Sequence, residues 1–526
     1  MEVDWLSRLP DDVIHQILSS LNTKQKVQTR ILSKRWRDLF SSIPTIDYCF
    51  SSIHGNRYNP LSKNRLDHCQ NYIDIVDGLL RLSKSIHLRL LHLDFFIGNG
   101  GPPFPDQWLR FVAGLSSVAD LVLCFQGIGD WNPKINRFRS SVLSLNRTFL
   151  TVRSLTLDRF NPSGFPWCGF IADGCYFGSL KSLSLTDVFI SDEDFASMLK
   201  LCPPLESILV DRINRLTLSD RDACRLETLD VCVRGNVEIG LALRLRVFRL
   251  KFYRGTLSMK GVPALREATL SMCFPFEDSS FQFDEAGFSS LKSIESLTID
   301  RHVLKVIRDR DVHCSLGLFD NVKRLHLNLS YDKKESSYCT VVASLRYFPY
   351  VEELSIQLID DLDFERFPGL LNDVKCLNLL HAGFNEEPIV DAIVTRVRHL
   401  QCLKEFIHFP VKYLVDIDFD RFPGLFDNIK SLDLRLRSHN VKFTNGTIAA
   451  SLRHFRHLEE LSISHINDLD FERFPGVFDD VWSLNLRIPS HSAEPMNGII
   501  VAGLQHFRCL KKLSIEGFTQ CPFKVI

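Results

Sequence analysis

The chain has 526 residues, 45% hydrophobic and 24% charged, and these proportions exclude a disordered or fibrous chain. Lys plus Arg and Asp plus Glu each number 63, so the formal net charge is zero, which argues against a protein whose main task is gripping a nucleic acid backbone. The 15 cysteines are scattered singly, with no C-x-x-C pair, so neither a disulfide framework nor paired zinc ligands is expected.

Reduced, mostly buried thiols fit a nuclear or cytoplasmic protein. The opening MEVDWLSRLPDD has no basic stretch followed by an apolar one, and no apolar run reaches the ~18 residues that would span a membrane. No membrane partner is therefore expected. Sequons at Asn146, Asn328 and Asn445 read as chance matches.

Residues 1–48 read as three short helices. Pro10 suits a first helical turn, and Asp11 and Asp12 sit where the helix dipole favours anions. Val13, Ile14, Ile17, Leu18 and Leu21 follow at helical spacing. Asn22-Thr23 ends that helix and starts a second, which carries Val27 and Ile31. Ser33 can cap a third, with Trp36, Leu39 and Phe40. Lys24, Lys26, Arg30, Lys34, Arg35 and Arg37 precede any acid in this stretch. A unit this small cannot bury so much apolar surface alone. It must cover the next domain or dock on another protein.

The string from Leu9 to Phe40, L-P-D-D-V-I-x-x-I-L-S-S-L-N-T-K-x-x-V-x-T-R-I-L-S-K-R-W-R-D-L-F, closely resembles the F-box of plant F-box proteins. Asn22 stands where that family commonly has Pro, and Arg30 where it commonly has a small residue. The resemblance implies docking on a Skp-type adaptor and, through it, a cullin. The matching positions are Leu9, Pro10, Val13, Ile17, Leu18, Leu21, Val27, Leu32 and Trp36. Sequence alone does not separate those that face an adaptor from those that hold the helices together.

Residues 49–84 read as a helical connection. From about residue 85 onward, strands of the form L-x-x-L-x-L recur: VADLVL (118–123), VRSLTL (152–157), LKSLSL (180–185), and so on to LKKLSI (510–515). From Leu297 the fourth positions are spaced 28, 29, 23, 29, 26, 29, 23 and 29 residues apart, within the range of leucine-rich repeats. Earlier steps are less regular, with 19 residues between Leu229 and Phe248. Alternate Leu residues enter a shared core that one coil cannot close alone. D-L-D-F-E-R-F-P-G recurs at Asp361, Asp416 and Asp468 with small changes, so residues 300–526 read as paired coils. The Phe of each copy reads as a buried anchor, and the stretches 341–348, 392–400, 448–455 and 500–507 read as helical.

The expected fold is thus α/β: a three-helix unit, then a leucine-rich-repeat solenoid over 85–526, a horseshoe with parallel strands on its concave face. The whole chain resembles the plant F-box/LRR family. That resemblance implies the substrate-recognition subunit of an SCF-type (Skp–cullin–F-box) E3 ubiquitin ligase, with the repeats holding a target protein.

No catalytic constellation, metal set or cofactor motif stands out. Gly98–Gly101 lacks a following G-K-[ST] and reads as a loop. His454 and His457 read as one solvated helix face, and His313-Cys314 lacks an orienting third group. The most suggestive surface is cationic: Arg244, Arg246, Arg249 and Lys251, with Arg435, Arg437 and Arg487 on later strands, a set that could bind an anion or acidic peptide. Two other functions stay open. One is a hormone-type small-molecule co-receptor, since some family relatives bind a hormone and an inositol phosphate. The other is a plain repeat scaffold capped by its first helices.

Overall fold

The computed structural model describes residues 8–50, 53, 65–83, 87–97, 108, 111–112, 114–127, 151–158, 177–188, 190–273, 281–311, 319–329, 344–357, 373–380, 402–410, 426–435, 452, 454–464, 478–487 and 507–516. They form two compact units: residues 1–265 with 273–290, and residues 266–272 with 291–526.

The first unit opens with α1 (Asp11–Ser20), α2 (Thr23–Thr29) and α3 (Lys34–Ser41). Pro10 stands one residue ahead of α1, as its extended N-cap, and Asp11 and Asp12 fill the first turn. Asn22, not Thr23, caps α2. Its side chain accepts from Gln25 N (2.9 Å), and Gln25 Oε1 accepts from Asn22 N (3.1 Å), a reciprocal capping box. A Pro at position 22 could supply neither the amide nor the side-chain acceptor. Ser33 Oγ accepts from Trp36 N and caps α3.

The parallel sheet then begins at once. β1 (Thr45–Tyr48) pairs with β2 (His87–Ile97), and β2 with β3 (Ser117–Gly127). The sheet continues through β4 (Ser154–Asp158), β5 (Ser182–Thr186) and β6 (Ser207–Ile213). The first rung therefore lies ahead of residue 85, where Ile43, Ile46 and Tyr48 take the buried motif positions without a single Leu. Between β1 and β2 runs α4 (Arg65–Leu82), inside the stretch read as a connection. Its Tyr72 hydroxyl donates to Tyr48 O and accepts from Asp94 N, which ties the helix to two strands.

The motif has a uniform physical meaning. Its first Leu is buried in the turn before the strand, as at Leu180 and Leu205, and the fourth and sixth point inward, as at Leu183 and Leu185. The second residue presents a carbonyl that accepts two amides of the next coil. Arg153 O takes Lys181 N (2.8 Å) and Ser182 N (3.0 Å), and Lys181 O takes Glu206 N and Ser207 N.

A second parallel sheet was not legible in the repeat pattern. It is built from β7 (Leu216–Leu218), β9 (Val237–Leu241), β11 (Gly255–Gly261) and β13 (Phe281–Phe283). These alternate along the chain with β8 (Thr228–Val233) and β10 (Val247–Phe252) of the main sheet. A strand closes a coil in fewer residues than a helix, which explains the short step between Leu229 and Phe248. Gly255 starts β11 at φ 113°, and a Cβ there would sit 2.5 Å from the Gly235 carbonyl. Only glycine fits that close stacking of successive turns.

The second unit begins with β12 (Glu267–Met272), whose neighbour is β14 (Ser296–Asp300). Then come β15 (Arg324–Asn328), β16 (Glu353–Gln357), β17 (Cys376–Leu380), β18 (Glu405–Pro410), β19 (Ser431–Arg435), β20 (Glu460–Ser464), β21 (Ser483–Arg487) and β22 (Lys512–Glu516). All pair in parallel, in sequence order. Helix α5 (Asp192–Leu201) and the single turn α6 (Asp220–Ala223) belong to the first unit, α7 (Glu285–Leu291) comes after β13, and α8 (Arg301–Asp311) after β14. Asp300 caps α8: its carboxylate accepts from His302 N, Val303 N and Met272 N. Burial of Asp300 raises its pKa while those amides lower it.

The three D-[LI]-D-F-[ED]-R-F-P-G copies, Gly98–Gly101 and His313-Cys314 lie outside the described residues. The phenylalanines that stand just ahead of the strands account for part of the Phe count. Phe319, Phe426 and Phe478 each precede a strand and pair with the Phe that precedes the next: Phe348 at 5.0 Å, Phe455 at 5.1 Å and Phe507 at 4.7 Å between ring centres. His454 and His457 are exposed in a turn rather than on a helix face.

These pairs bridge adjacent coils through buried aromatic surface. Phe478→Ala is expected to cost about 3–5 kcal/mol, within the range for a fully buried Phe. Denaturant unfolding of the variant checks this.

Candidate functional site

The helical trio separates its apolar residues by face. Ile14 and Leu18 are fully buried, and Trp36 is 2% exposed. Leu18 and Trp36, two candidate adaptor contacts, therefore hold the trio together. Facing outward are Pro10, Val13 (37% exposed) and Leu32 (50%). Leu9, Ile17, Leu21 and Val27 are half-buried. Ile31, at 84%, is the most exposed of the large apolar side chains among the described residues, and it was not among the adaptor positions named from sequence. Its exposure comes from its place in the α2–α3 turn, where the helical stripe has ended.

Arg35 fixes the relation between the helices. Its guanidinium donates to Asp11 Oδ1 and to Leu9 O (2.6 Å), which places the start of α3 beside the start of α1. Leu9, Pro10, Ile31 and Leu32 thereby gather at one end of the trio. The run of six cations resolves into different uses. Arg35 is paired, Arg30 lies over the Phe40 ring at 5.3 Å, and Lys26 is buried, which lowers its pKa despite nearby Asp47. Lys24, Lys34 and Arg37 are exposed.

The opposite side of the trio meets the sheet. Thr23 is buried and its hydroxyl donates to Asp47 O on β1. The helices thus cover the first rung with one side while the apolar turn residues face out.

The cationic strand is also placed. Arg244, Arg246, Arg249 and Lys251 are all exposed, the first two ahead of β10 and the last two on it. Arg246 sits in the row of second motif positions, donating its amide to Glu227 O. Arg249 and Lys251 lie on β10, opposite Asp230 and Cys232 of β8. Arg435 and Arg487 belong to the other unit, two strands apart in one row with Ser464 between them. Arg437 lies outside the described residues.

At several second motif positions neighbouring coils carry opposite charges. Lys181 pairs with Glu206, Arg266 with Glu295, Lys375 with Glu352 and Lys430 with Glu459. These partners are solvent-exposed, so salt screens them and each contributes little.

One polar cluster interrupts the first unit's sheet face. His92 Nδ1 lies 2.9 Å from Asp47 Oδ1, and Nε2 lies 3.3 Å from Asp94 Oδ1. Cys124 Sγ is 3.5 Å from Nε2. Burial disfavours the charged ring, but contacts to Asp47, Asp94 and Cys124 outweigh it and push its pKa up to about 12. The His92 hydrogen bond in turn holds the Asp47 carboxyl below its ordinary value.

The sequence comparisons agree with this architecture. A family profile described as F-box domain matches residues 6–47, and one described as FBD-associated F-box protein At5g56370, LRR repeats, matches residues 105–356. The F-box protein At5g03100 of Arabidopsis thaliana is 30% identical over 278 residues, covering 51% of this chain and 77% of its own. The chain belongs to the F-box/LRR-repeat protein family. The Arabidopsis F-box/LRR-repeat protein At5g02910 is 26% identical over 505 residues, 85% of this chain and 97% of the relative. The putative F-box/LRR-repeat protein At3g18150, also from Arabidopsis, is 28% identical over 301 residues, and the match spans 58% of its length.

Within the leucine-rich repeats, Asp230 is a titratable group on the sheet face. Burial raises its pKa, and Arg249 and Lys251 partly offset this. A carboxyl whose folded pKa is raised favours folding when protonated. That stability is full below the unfolded pKa and is lost as pH rises through the folded one. Asp230→Asn is expected to remove this slope, so that the intact chain loses stability relative to the variant as pH climbs from about 3.9 toward neutrality. Parallel denaturant titrations across that window test it.

Proposed function

We propose that this chain is the substrate-recognition subunit of an SCF-type E3 ubiquitin ligase. Its F-box docks on a Skp-type adaptor, and through it a cullin, while the leucine-rich repeats hold a target protein for ubiquitination. The observation that carries the reading is the exposed Ile31–Leu32 turn beside Leu9 and Pro10, on a trio whose other side is already occupied by β1. Exposed apolar side chains at the tip of a small helical unit are what a protein interface uses and what a free surface avoids. The chain needs no catalytic group of its own. It works by raising the local concentration of target near a charged conjugating enzyme. A nuclear or cytoplasmic location fits this role.

Capping and docking are not alternatives in this arrangement. Thr23 and Lys26 face the sheet, and the tip residues face away, so one helical unit serves both purposes. Deleting it would uncover β1 and so report on folding, not on partners.

The informative changes are therefore single and exposed. Leu32→Asp is expected to leave the unfolding midpoint within about 0.5 kcal/mol of the parent, as for other surface changes. It should lower adaptor affinity at least about tenfold, which corresponds to 1.4 kcal/mol. Leu18→Ala, by contrast, should cost about 2–5 kcal/mol of stability. Co-purification with a Skp-family adaptor and a parallel melt separate the two. Full adaptor binding by Leu32→Asp, or none by the intact chain, would overturn the reading.

A further inference from the structure

We propose that His92, Asp94 and Cys124 form a zinc-type metal site, with Asp47 as the orienting group behind the histidine. The three ligand atoms are the imidazole Nε2, the carboxylate Oδ1 and the thiol Sγ, and all lie within 4.8 Å of one another. They come from the adjacent strands β2 and β3, where Asp94 and Cys124 stand directly opposite in register.

The distances carry the assignment. Zinc bonds of about 2.0–2.1 Å to nitrogen, 2.0–2.2 Å to oxygen and 2.3 Å to sulfur, set at tetrahedral angles, place the ligands about 3.3–3.6 Å apart. His92 Nε2 is 3.3 Å from Asp94 Oδ1 and 3.5 Å from Cys124 Sγ. The first separation is long for a charge-assisted hydrogen bond, which runs at about 2.7–2.9 Å. It is the length of a coordination edge. Nδ1, meanwhile, sits at a normal 2.9 Å from Asp47 Oδ1. A carboxylate that holds one ring nitrogen while the other faces the ion is the usual support of a metal-bound histidine.

The surroundings are built to hold these groups still. Asp94 is buried, its Oδ2 accepts from Phe50 N at 2.7 Å, and its own amide donates to the Tyr72 hydroxyl at 3.1 Å. Cys49 lies near Asp47 and His92, on the side of the orienting carboxylate, and is assigned outside the coordination sphere. Nitrogen, sulfur and oxygen donors together suit Zn²⁺ rather than Mg²⁺ or Ca²⁺, which take oxygen alone. Three protein ligands leave a fourth position for water or for a partner's side chain. The ion would displace the proton held between His92 and its neighbours, and it would bind where the helical unit passes into the sheet.

The test uses the full chain, with metal content measured after purification and with Co²⁺ as a spectroscopic probe. One equivalent of Zn²⁺ per chain is expected, together with a thiolate-to-cobalt charge-transfer band on Co²⁺ addition. Cys124→Ser should abolish the band. Asp47→Asn should keep it and weaken metal affinity about 10–100-fold, the usual effect of losing an orienting partner. Cys49→Ser and the remote Cys509→Ser should change neither. Absence of the band in the intact chain overturns the site, whatever the variants do. A band that survives Cys124→Ser, or disappears in Cys49→Ser, overturns this ligand set.

Discussion

The structure depends on one shared constraint: no coil can satisfy its own backbone at the strand. Each rung's carbonyl at the second motif position receives two amides from the next rung, and the pattern repeats from Arg153 through Lys181 and Glu206 in the first unit and from Arg266 through Glu295 and Lys323 in the second. The inward Leu residues obey the same logic, since a coil's core is completed only by its neighbours. A rung at either end of such a stack exposes unpaired amides, carbonyls and apolar side chains. The F-box meets this problem directly. It lies against β1 through Thr23, so the array's first edge is covered by the module that carries the exposed Ile31–Leu32 turn.

That arrangement gives the F-box two faces of different chemistry. The face toward the sheet contains a buried hydroxyl, that of Thr23, and the buried Lys26. The other presents Ile31 and Leu32 to solvent. Arg35 keeps the two in register by joining α3 to the start of α1. Arg35 thus acts as a clamp, Arg30 covers a ring and Lys26 is buried, while Lys24, Lys34 and Arg37 stay exposed.

Much of this was legible in sequence, for a physical reason in each case. The strands were readable because Leu at alternate positions must enter one core, and VADLVL, VRSLTL, LKSLSL and LKKLSI all became strands. The three helices were readable from caps and apolar spacing. The features that stayed hidden depended on contacts between distant segments. The face each F-box side chain takes is set by α3 packing on α1, so sequence left open whether Trp36 faces out or in, and Ile31 was not named among the adaptor positions. The short strands Leu216–Leu218 and Phe281–Phe283 carry only two inward residues each, too few to register as a period. The His92 cluster draws on β1, β2 and β3, so no local spacing of Cys and His announces it. Motif position, not charge, decides which way a residue faces.

The same rule narrows where recognition can occur in the repeats. Charges at second motif positions pair in part across neighbouring coils, but like charges also follow one another, as at Lys375, Lys404 and Lys430. The outward row between the inward Leu residues differs between the units. In the first it runs Asp47, His92, Val122, Thr156, Ser184, Leu209, Asp230 and Arg249 along the register. In the second it runs Thr269, Thr298, His326, Ser355, Asn378. That stretch is polar, with burial keeping the His326 pKa below its ordinary value, and the row goes on through Asp433, Ser462, Asn485 and Ser514. A surface of that kind discriminates by hydrogen bonds and shape, and it rejects a partner that leaves those groups unpaired. The first unit's row sets acids at Asp47 and Asp230 beside the charged His92 ring and Arg249. For the role proposed above, the two units offer a target two chemically unlike surfaces.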